Sequence, residues 1–161
     1  MVHARAVLIF VPERRTALTR MIAALKPGGW LLVEEMVPPI TEAWDRPDEP
    51  DVALARKARR AITEVIRLQG GDLTFAQKLP GYLCASHLAE LGTEGYFVPY
   101  RNDAVVGLAK ANIDQLGGAI VETGLMDAAE LEGYAALFER PDCFYPASMA
   151  LISAWGRRQL A

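Results

Sequence analysis

Cysteine and histidine are scarce in this chain, with two of each among 161 residues. Cys84 and Cys143 lie far apart and match neither a CxxC pair nor a zinc-finger spacing, so the sequence predicts free or buried thiols in a reducing compartment. GxSxG and HExxH, the motifs of many nucleophilic and zinc-dependent hydrolases, do not occur. These gaps predict a cytoplasmic protein with no metal site.

The chain also has no surplus of positive charge and no long apolar run. Its formal net charge is −3, which speaks against nucleic acid as a partner, because neutralising phosphates requires a basic surface. The apolar stretch 6–11 is too short to cross a bilayer and lacks the layout of a secretory signal. The sequence therefore predicts neither a nucleic-acid partner nor a membrane partner.

What the chain contains is a globular composition, 52% hydrophobic and 23% charged, with helical and strand-like segments in alternation. A helix is predicted from Pro12 to Leu25, where KPGG ends it. The next residues, WLLV at 30–33, predict a strand covered on both faces and ending in Glu34 and Glu35. This order predicts an α/β domain with about four strands.

The later segments continue this alternation. Residues 36–51 are rich in proline and acids and predict a long loop, of the kind that forms lids or binding sites. Further helices are predicted over about 52–68, over 82–91, from Asp103 to near Gly124, and after an Asp127–Glu130 capping box. Strands are predicted at 95–101 and 149–155. The first of these helices has a predicted apolar face made of Leu54, Ala58, Ala61, Val65 and Leu68.

The stretch VHARAVLIFVPERRTALTRMIAALKPGGWLLVEE at 2–35 resembles the region around the fourth and fifth strands of class I S-adenosylmethionine-dependent methyltransferases. In that family a strand is followed by a VP or LP turn, a helix, LKPGG and the next strand. The later segments KLPGYL, GLMDAAELEGYAALFERPD and SAWGRR resemble a bacterial branch of small-molecule methyltransferases. The resemblance covers nearly the whole chain.

The resemblance implies a partial Rossmann-like sheet within one domain, 1–161, with a substrate-loop and capping-helix insertion at 36–92. Family members have seven strands, and the first half of the sheet binds the cofactor through a Gly-rich loop that follows a strand. No GxGxG pattern of this kind occurs here. The N-terminal cofactor-binding half is thus expected to be absent, and S-adenosylmethionine is not expected to bind to this chain alone.

The start of the chain has two competing interpretations. By periodicity, the apolar run AVLIFV at 6–11 predicts a strand. The resemblance instead predicts a strand over 1–4, followed by a turn and a short helical lead over 6–11.

Carried over residue by residue, the resemblance places the end of the family's fourth strand, and with it the cofactor-binding positions, at His3, Ala4 and Arg5. The expected substrate pocket consists of Glu35, Met36, Trp44, Tyr82 and Phe97. No catalytic residue is assigned, because the sulfonium of the cofactor supplies the electrophile and the protein mainly positions the reactants.

Simpler structural roles compete with these assignments. His3 is also readable as a partly exposed terminal residue, and His87 as a structural residue of the 82–91 helix. Glu34 and Glu35 are adjacent on a strand, so their side chains point to opposite faces and cannot converge on one substrate atom. The basic cluster 56–60 can hold an acidic substrate or an anionic surface, although a solvated helix face is the simpler interpretation.

Two functions follow from different classes. The first is an S-adenosylmethionine-dependent methyltransferase acting on a small-molecule acceptor, truncated and inactive as this chain alone. The second is a non-enzymatic stand-alone domain that pairs through its open sheet edge with another copy or another chain. Because an exposed edge and exposed apolar surface favour association, a homodimer is expected on this second interpretation.

Overall fold

The computed structural model of the protein describes residues 1–37, 50–98, 103–139 and 149–160. In chain order they form β1 (Val2–Arg5), a 3-10 helix (Leu8–Phe10), α1 (Arg14–Ala23), β2 (Trp30–Val37), α2 (Pro50–Leu68), α3 (Phe75–Cys84), β3 (Leu88–Val98), α4 (Asp103–Glu122), α5 (Ala128–Leu137) and β4 (Met149–Arg158). The predicted α/β class is confirmed, with four strands in these ranges.

The described residues divide into two compact units. The sheet unit contains 1–37, 69–97 and 149–160, and the helical unit contains 50–68, 98 and 103–139. The predicted insertion 36–92 contributes α2 to the helical unit and α3 to the sheet unit. A single domain over 1–161, with that insertion, stays a prediction.

The sheet has the strand order β1-β2-β4-β3. β1 runs parallel to β2, while β4 runs antiparallel to β2. The connection from β1 to β2 passes through α1, so these three elements form a βαβ unit. β1 and β3 are the edge strands among the described residues.

β2 extends four residues beyond the predicted WLLV strand and alternates strictly between two environments. One face carries the buried residues Leu31, Val33, Glu35 and Val37, and the other carries the half-buried residues Trp30, Leu32, Glu34 and Met36. The main core of the sheet unit lies on the first face, with buried residues Leu8, Ile9, Leu18, Leu25, Leu31, Val33, Phe75, Leu79, Leu83, Leu88 and Ala154. The expectation that both faces are fully covered is therefore met on one face only.

The start of the chain follows the interpretation drawn from the resemblance. β1 covers 2–5, and the 3-10 helix at 8–10 lies within the stretch for which periodicity predicts a strand. That predicted strand is wrong, because Ala6 adopts a left-handed φ of 52° and turns the chain. The apolar residues Leu8 and Ile9 are buried as part of the 3-10 helix and not as part of a strand.

The helix predicted over 82–91 is wrong in position. α3 begins at Phe75, and the carboxylate of Asp72 accepts a 2.9 Å hydrogen bond from the backbone N–H of Thr74 just before it. Phe75, Leu79 and Leu83 form its buried face. Pro80 lies inside this helix. Because proline removes a backbone donor, a proline at this position argues against a helix in a prediction from sequence.

β3 occupies part of the range assigned to that helix. It begins at Leu88, so His87 is an exposed residue in a bend and not a helical one. A Cβ atom at Gly92 would lie 2.3 Å from the Trp155 ring, which shows how closely that side chain of β4 covers the strand. Residues 95–98 of the predicted 95–101 strand lie in β3, and 99–101 lie outside the described residues.

The helical unit packs α2, α4 and α5 around a separate core. Its buried residues are Val52, Ala55, Ala58, Ala61, Val65, Ile113, Ile120, Met126, Tyr134, Leu137 and Phe138. The predicted capping box is confirmed: Asp127 accepts from the Glu130 N–H at 2.8 Å, and Glu130 accepts from the Asp127 N–H at 3.0 Å. The predicted face of α2 needs correction at Leu68, which is 63% exposed, and at Leu54, which is only half-buried.

Cys84 is a free, exposed thiol, and Cys143 lies outside the described residues. Within the described ranges, no helix has both the length and the apolar composition needed to cross a membrane.

Candidate functional site

The carboxyl ends of β1 and β2 lie at the same edge of the sheet, because the two strands are parallel. At that edge Arg5 is paired in register with Glu34. Ligands of open α/β sheets bind outside the carboxyl ends of the strands. Of the three residues predicted to bind cofactor, Arg5 ends β1 at this edge, and Ala4 and His3 precede it along the strand. Their role in cofactor binding stays a prediction.

A row of polar side chains crosses three neighbouring strands near this edge. His3 Nε2 lies 2.9 Å from Glu34 Oε2, and the Ser153 hydroxyl donates to Glu34 Oε1 at 3.2 Å. The hydrogen bond with His3 lowers the pKa of Glu34, aided by Ser153 and by the positive charge of Arg5, while burial opposes the shift. An ionised Glu34 can orient the His3 imidazole, and an imidazole held in this way can accept or donate a proton.

Glu35 has a different role on the opposite face of β2. Its side chain is fully buried, and Oε1 accepts hydrogen bonds from the backbone N–H of Leu8 at 2.7 Å and of Val7 at 3.3 Å. Burial raises the pKa of Glu35, and the hydrogen bonds from these N–H groups partly offset that effect. Its other oxygen, Oε2, is buried and has no hydrogen-bond partner among the described residues.

The segment directly after β1 is held against the end of β2. The N–H of Ala6 donates to the Glu34 carbonyl at 2.8 Å, and the next two N–H groups donate to the Glu35 carboxyl. Ala6 keeps its φ of 52° within this arrangement. Positive φ at a residue other than glycine costs of order 1 kcal/mol and persists only where the surroundings enforce it. The backbone beside the predicted cofactor residues is therefore fixed by β2.

The other residues predicted to form the substrate pocket are distributed over several elements. Met36 is half-buried on the Glu34 face of β2. Tyr82 lies on α3, with its ring 5.6 Å from that of Phe75 and 5.2 Å from the Arg15 guanidinium. The backbone of Phe97 belongs to β3, but its side chain lies outside the described set, as does all of Trp44. A substrate pocket made of these residues stays a prediction.

Sequence reasoning missed Ser153 and Ala6. Ser153 meets Glu34 only through the antiparallel register of β4 with β2, and the LISAW segment carries no signal of that register. The sequence also gives no signal for the left-handed turn at Ala6, because alanine has no preference for positive φ.

The chain is similar in sequence to one known protein and in fold to another. No family model matches the chain. The chain is 29% identical over 168 residues to "Methyltransferase str2" of Strobilurus tenacellus, covering 95% of this chain and 58% of that protein. It also superposes on Haemonchus contortus phosphoethanolamine N-methyltransferase 2, solved with phosphomonomethylethanolamine and S-adenosylhomocysteine. The TM-score is 0.51, at 11% identity, over 98% of this chain and 32% of that chain. These comparisons support the methyltransferase family.

The agreement reaches the level of a methyltransferase-like α/β fold. At 11% identity the solved structure supports the fold alone, whereas the curated relative supports methyltransferase kinship along the sequence. The chain spans 58% of the length of one relative and 32% of the other. The resemblance stated from residues 2–35 agrees with these likenesses to methyltransferases, while the small-molecule branch and the C-terminal part remain predictions.

The described residues supply only part of what a methyltransferase cofactor site needs. His3, Arg5 and Glu34 offer hydrogen-bonding groups at the ligand edge. The described glycines with positive φ are Gly28, Gly70 and Gly124, and each follows a helix. None of these three forms the strand-to-helix glycine loop that lets backbone approach the cofactor. The described residues therefore do not by themselves fit the whole cofactor.

Proposed function

We propose that the protein functions as an S-adenosylmethionine-dependent methyltransferase that acts on a small molecule. One observation carries the proposal. The sequence of a curated methyltransferase aligns with 95% of the chain, and the fold of a solved methyltransferase superposes on 98% of it. The polar edge formed by β1 and β2 supports the same function, since it provides hydrogen-bonding groups where α/β sheets bind ligands.

In this proposal the cofactor lies against His3, Ala4 and Arg5, and the acceptor lies near the end of β2. The His3–Glu34 pair would hold a proton at the ligand edge, and Glu35 would keep residues 6–8 in place. Since the described residues include no glycine cradle, we assign no step of methyl transfer to them. We expect these 161 residues alone not to bind S-adenosylmethionine, and their cytoplasmic location stays a prediction.

Calorimetric titration with S-adenosylhomocysteine tests the function. The native polypeptide that carries this sequence, purified from its source and weighed by mass spectrometry, is expected to bind with a micromolar dissociation constant. The 161-residue chain produced alone is expected to show no binding. Absence of binding by the native polypeptide would overturn the proposed function, whereas binding by the 161-residue chain would overturn only the expectation that this chain alone lacks cofactor affinity.

The two histidines of the chain give a matched pair of variants for the same titration. His3→Ala in the native polypeptide removes a group at the ligand edge and is expected to weaken binding by about tenfold. His87→Ala removes an exposed side chain in a bend and is expected to have no effect. Equal effects of the two substitutions would show that the ligand edge is elsewhere.

The edge position of β1 favours a second candidate, a non-enzymatic domain that forms a homodimer. β1 is an edge strand, and near it Val7 and Phe10 are 48% and 44% exposed. Exposed strand edges and apolar side chains promote association. Light scattering on the 161-residue chain should then report a dimer, which Phe10→Asp dissociates and Leu125→Asp, at a 40% exposed position of the helical unit, does not. A monomer would exclude this candidate.

A further inference from the structure

Several cations of the helical unit are held by acids. Three of them are well exposed and paired: Lys57 with Glu130, Arg67 with Glu64 at 2.6 Å, and Lys110 with Glu139 at 2.8 Å. Their side chains are 45%, 65% and 42% exposed.

Arg59 shows the opposite combination. It is half-buried on α2, and its Nη1 atom is buried with no hydrogen-bond partner among the described residues. No ion pair of Arg59 with a described acid occurs. The solvated helix face expected for the basic cluster therefore fits Arg60, which is exposed, but does not fit Arg59.

An unpartnered guanidinium nitrogen is costly in this position. Arginine stays protonated at all ordinary pH values, so it cannot escape burial by losing its charge. A buried donor that has lost water without gaining a partner requires an explanation, and a bound anion is one that fits a permanent cation. Arg56, three residues earlier, lies on the same side of the helix.

We propose that Arg59, with Arg56 beside it, binds the oxyanion of a small molecule, either a carboxylate or a phosphate. The planar guanidinium presents parallel N–H donors that match two oxygens of either group. This inference goes beyond the proposed methyltransferase function, which does not require a charged acceptor. It can be tested without cofactor or methyl acceptor.

The experiment measures the thermal unfolding midpoint of the 161-residue chain while inorganic phosphate, or in a second series acetate, replaces chloride at constant ionic strength. At least one of the two anions is expected to raise the midpoint of the wild type, because a ligand that binds the native state stabilises it. Arg60→Met, which removes an exposed neighbour of equal charge, should keep this rise. Arg59→Met should weaken the apparent affinity by about tenfold or more.

Arg59→Met is expected to fold, since methionine keeps much of the side-chain volume and removes an unpaired charge. Far-UV circular dichroism checks this. A response to phosphate alone identifies a phosphate group, and a response to both anions identifies a general oxyanion site. The proposal is wrong if neither anion exceeds chloride, or if Arg59→Met responds like the wild type. It is also wrong if Arg59→Met and Arg60→Met equally weaken binding to phosphatidylserine vesicles, which would indicate a membrane-surface patch.

Discussion

The two faces of β2 place neighbouring glutamates in opposite environments. Glu34 lies on the half-buried face, where His3 and Ser153 hydrogen-bond to its carboxylate and its pKa is lowered. Glu35 lies on the core face, fully buried, where burial raises its pKa and backbone N–H groups bond to one of its oxygens. Both side chains are carboxylic acids, so their unlike environments come from the face of the strand on which each lies.

This difference separates the face of β2 that packs in the core from the face that is partly open to solvent. The core face fixes the backbone that follows β1, through Glu35 and the packed side chains around it. The half-buried face leaves His3, with 40% of its side chain exposed, next to an ionised partner. A ligand at the edge would meet the second face while depending on the first for its geometry.

The largest expected effect comes from cutting into the core face. Leu31 is fully buried, so Leu31→Ala should lower the free energy of unfolding by about 3 kcal/mol through lost burial and a new cavity. Leu32 is the adjacent, half-buried residue, and Leu32→Ala should cost only about 1 kcal/mol. Urea titration followed by circular dichroism measures both. Equal losses would break the distinction between the two faces.

The next largest effect concerns the packing of the Trp155 ring against β3. A Cβ atom at Gly92 would lie 2.3 Å from the Trp155 ring, so Gly92→Ala should lower the free energy of unfolding by about 2 kcal/mol. Gly95, on the same strand, has open space where a Cβ would lie, and Gly95→Ala should be neutral or stabilising by about 0.5 kcal/mol. If thermal midpoints of the two variants coincide, the ring does not pack on β3 as described.

The smallest expected effects are changes in stability with pH. A raised native pKa at Glu35 means that its stabilisation is complete below the ordinary value of 4.5 and is lost as the pH rises through the native value. The lowered pKa of Glu34 acts in reverse, giving stability that is present above 4.5 and is lost as the pH falls through its native value.

Isosteric amides remove each titration separately. Relative to wild type, Glu35→Gln should gain stability as the pH rises above 4.5, and Glu34→Gln should gain stability as the pH falls below 4.5. Denaturant midpoints across pH at constant ionic strength measure both trends. The same sign for the two variants would contradict the assignment of the glutamates to unlike environments.

Local signals in the sequence predicted several elements well. The KPGG stop and the apolar spacing before it located α1, and the Asp127–Glu130 pair located the start of α5. These succeed because capping, helical periodicity and glycine turns act within a few residues. The LKPGGWLLVEE segment also carried the resemblance to methyltransferases, which the comparisons support.

The errors occurred where distant contacts outweigh local preference. α3 contains Pro80, yet the burial of Phe75, Leu79 and Leu83 holds it as a helix. β3 begins at Leu88 in a range assigned to a helix, since strand pairing with β4 and the Trp155 ring over Gly92 are invisible in local sequence. The same limit hid Ser153 and the Ala6 turn.

Neighbouring residues were enough to predict the α/β class, the resemblance to methyltransferases and the opposite directions of Glu34 and Glu35, because periodicity and motifs are local patterns. Three facts come from tertiary contacts alone: Glu35 is the buried glutamate, His3 and Ser153 meet at Glu34, and Arg59 is half-buried without an acid partner among the described residues. Those facts depend on strand register and on packing between segments far apart in the chain, which local patterns do not encode.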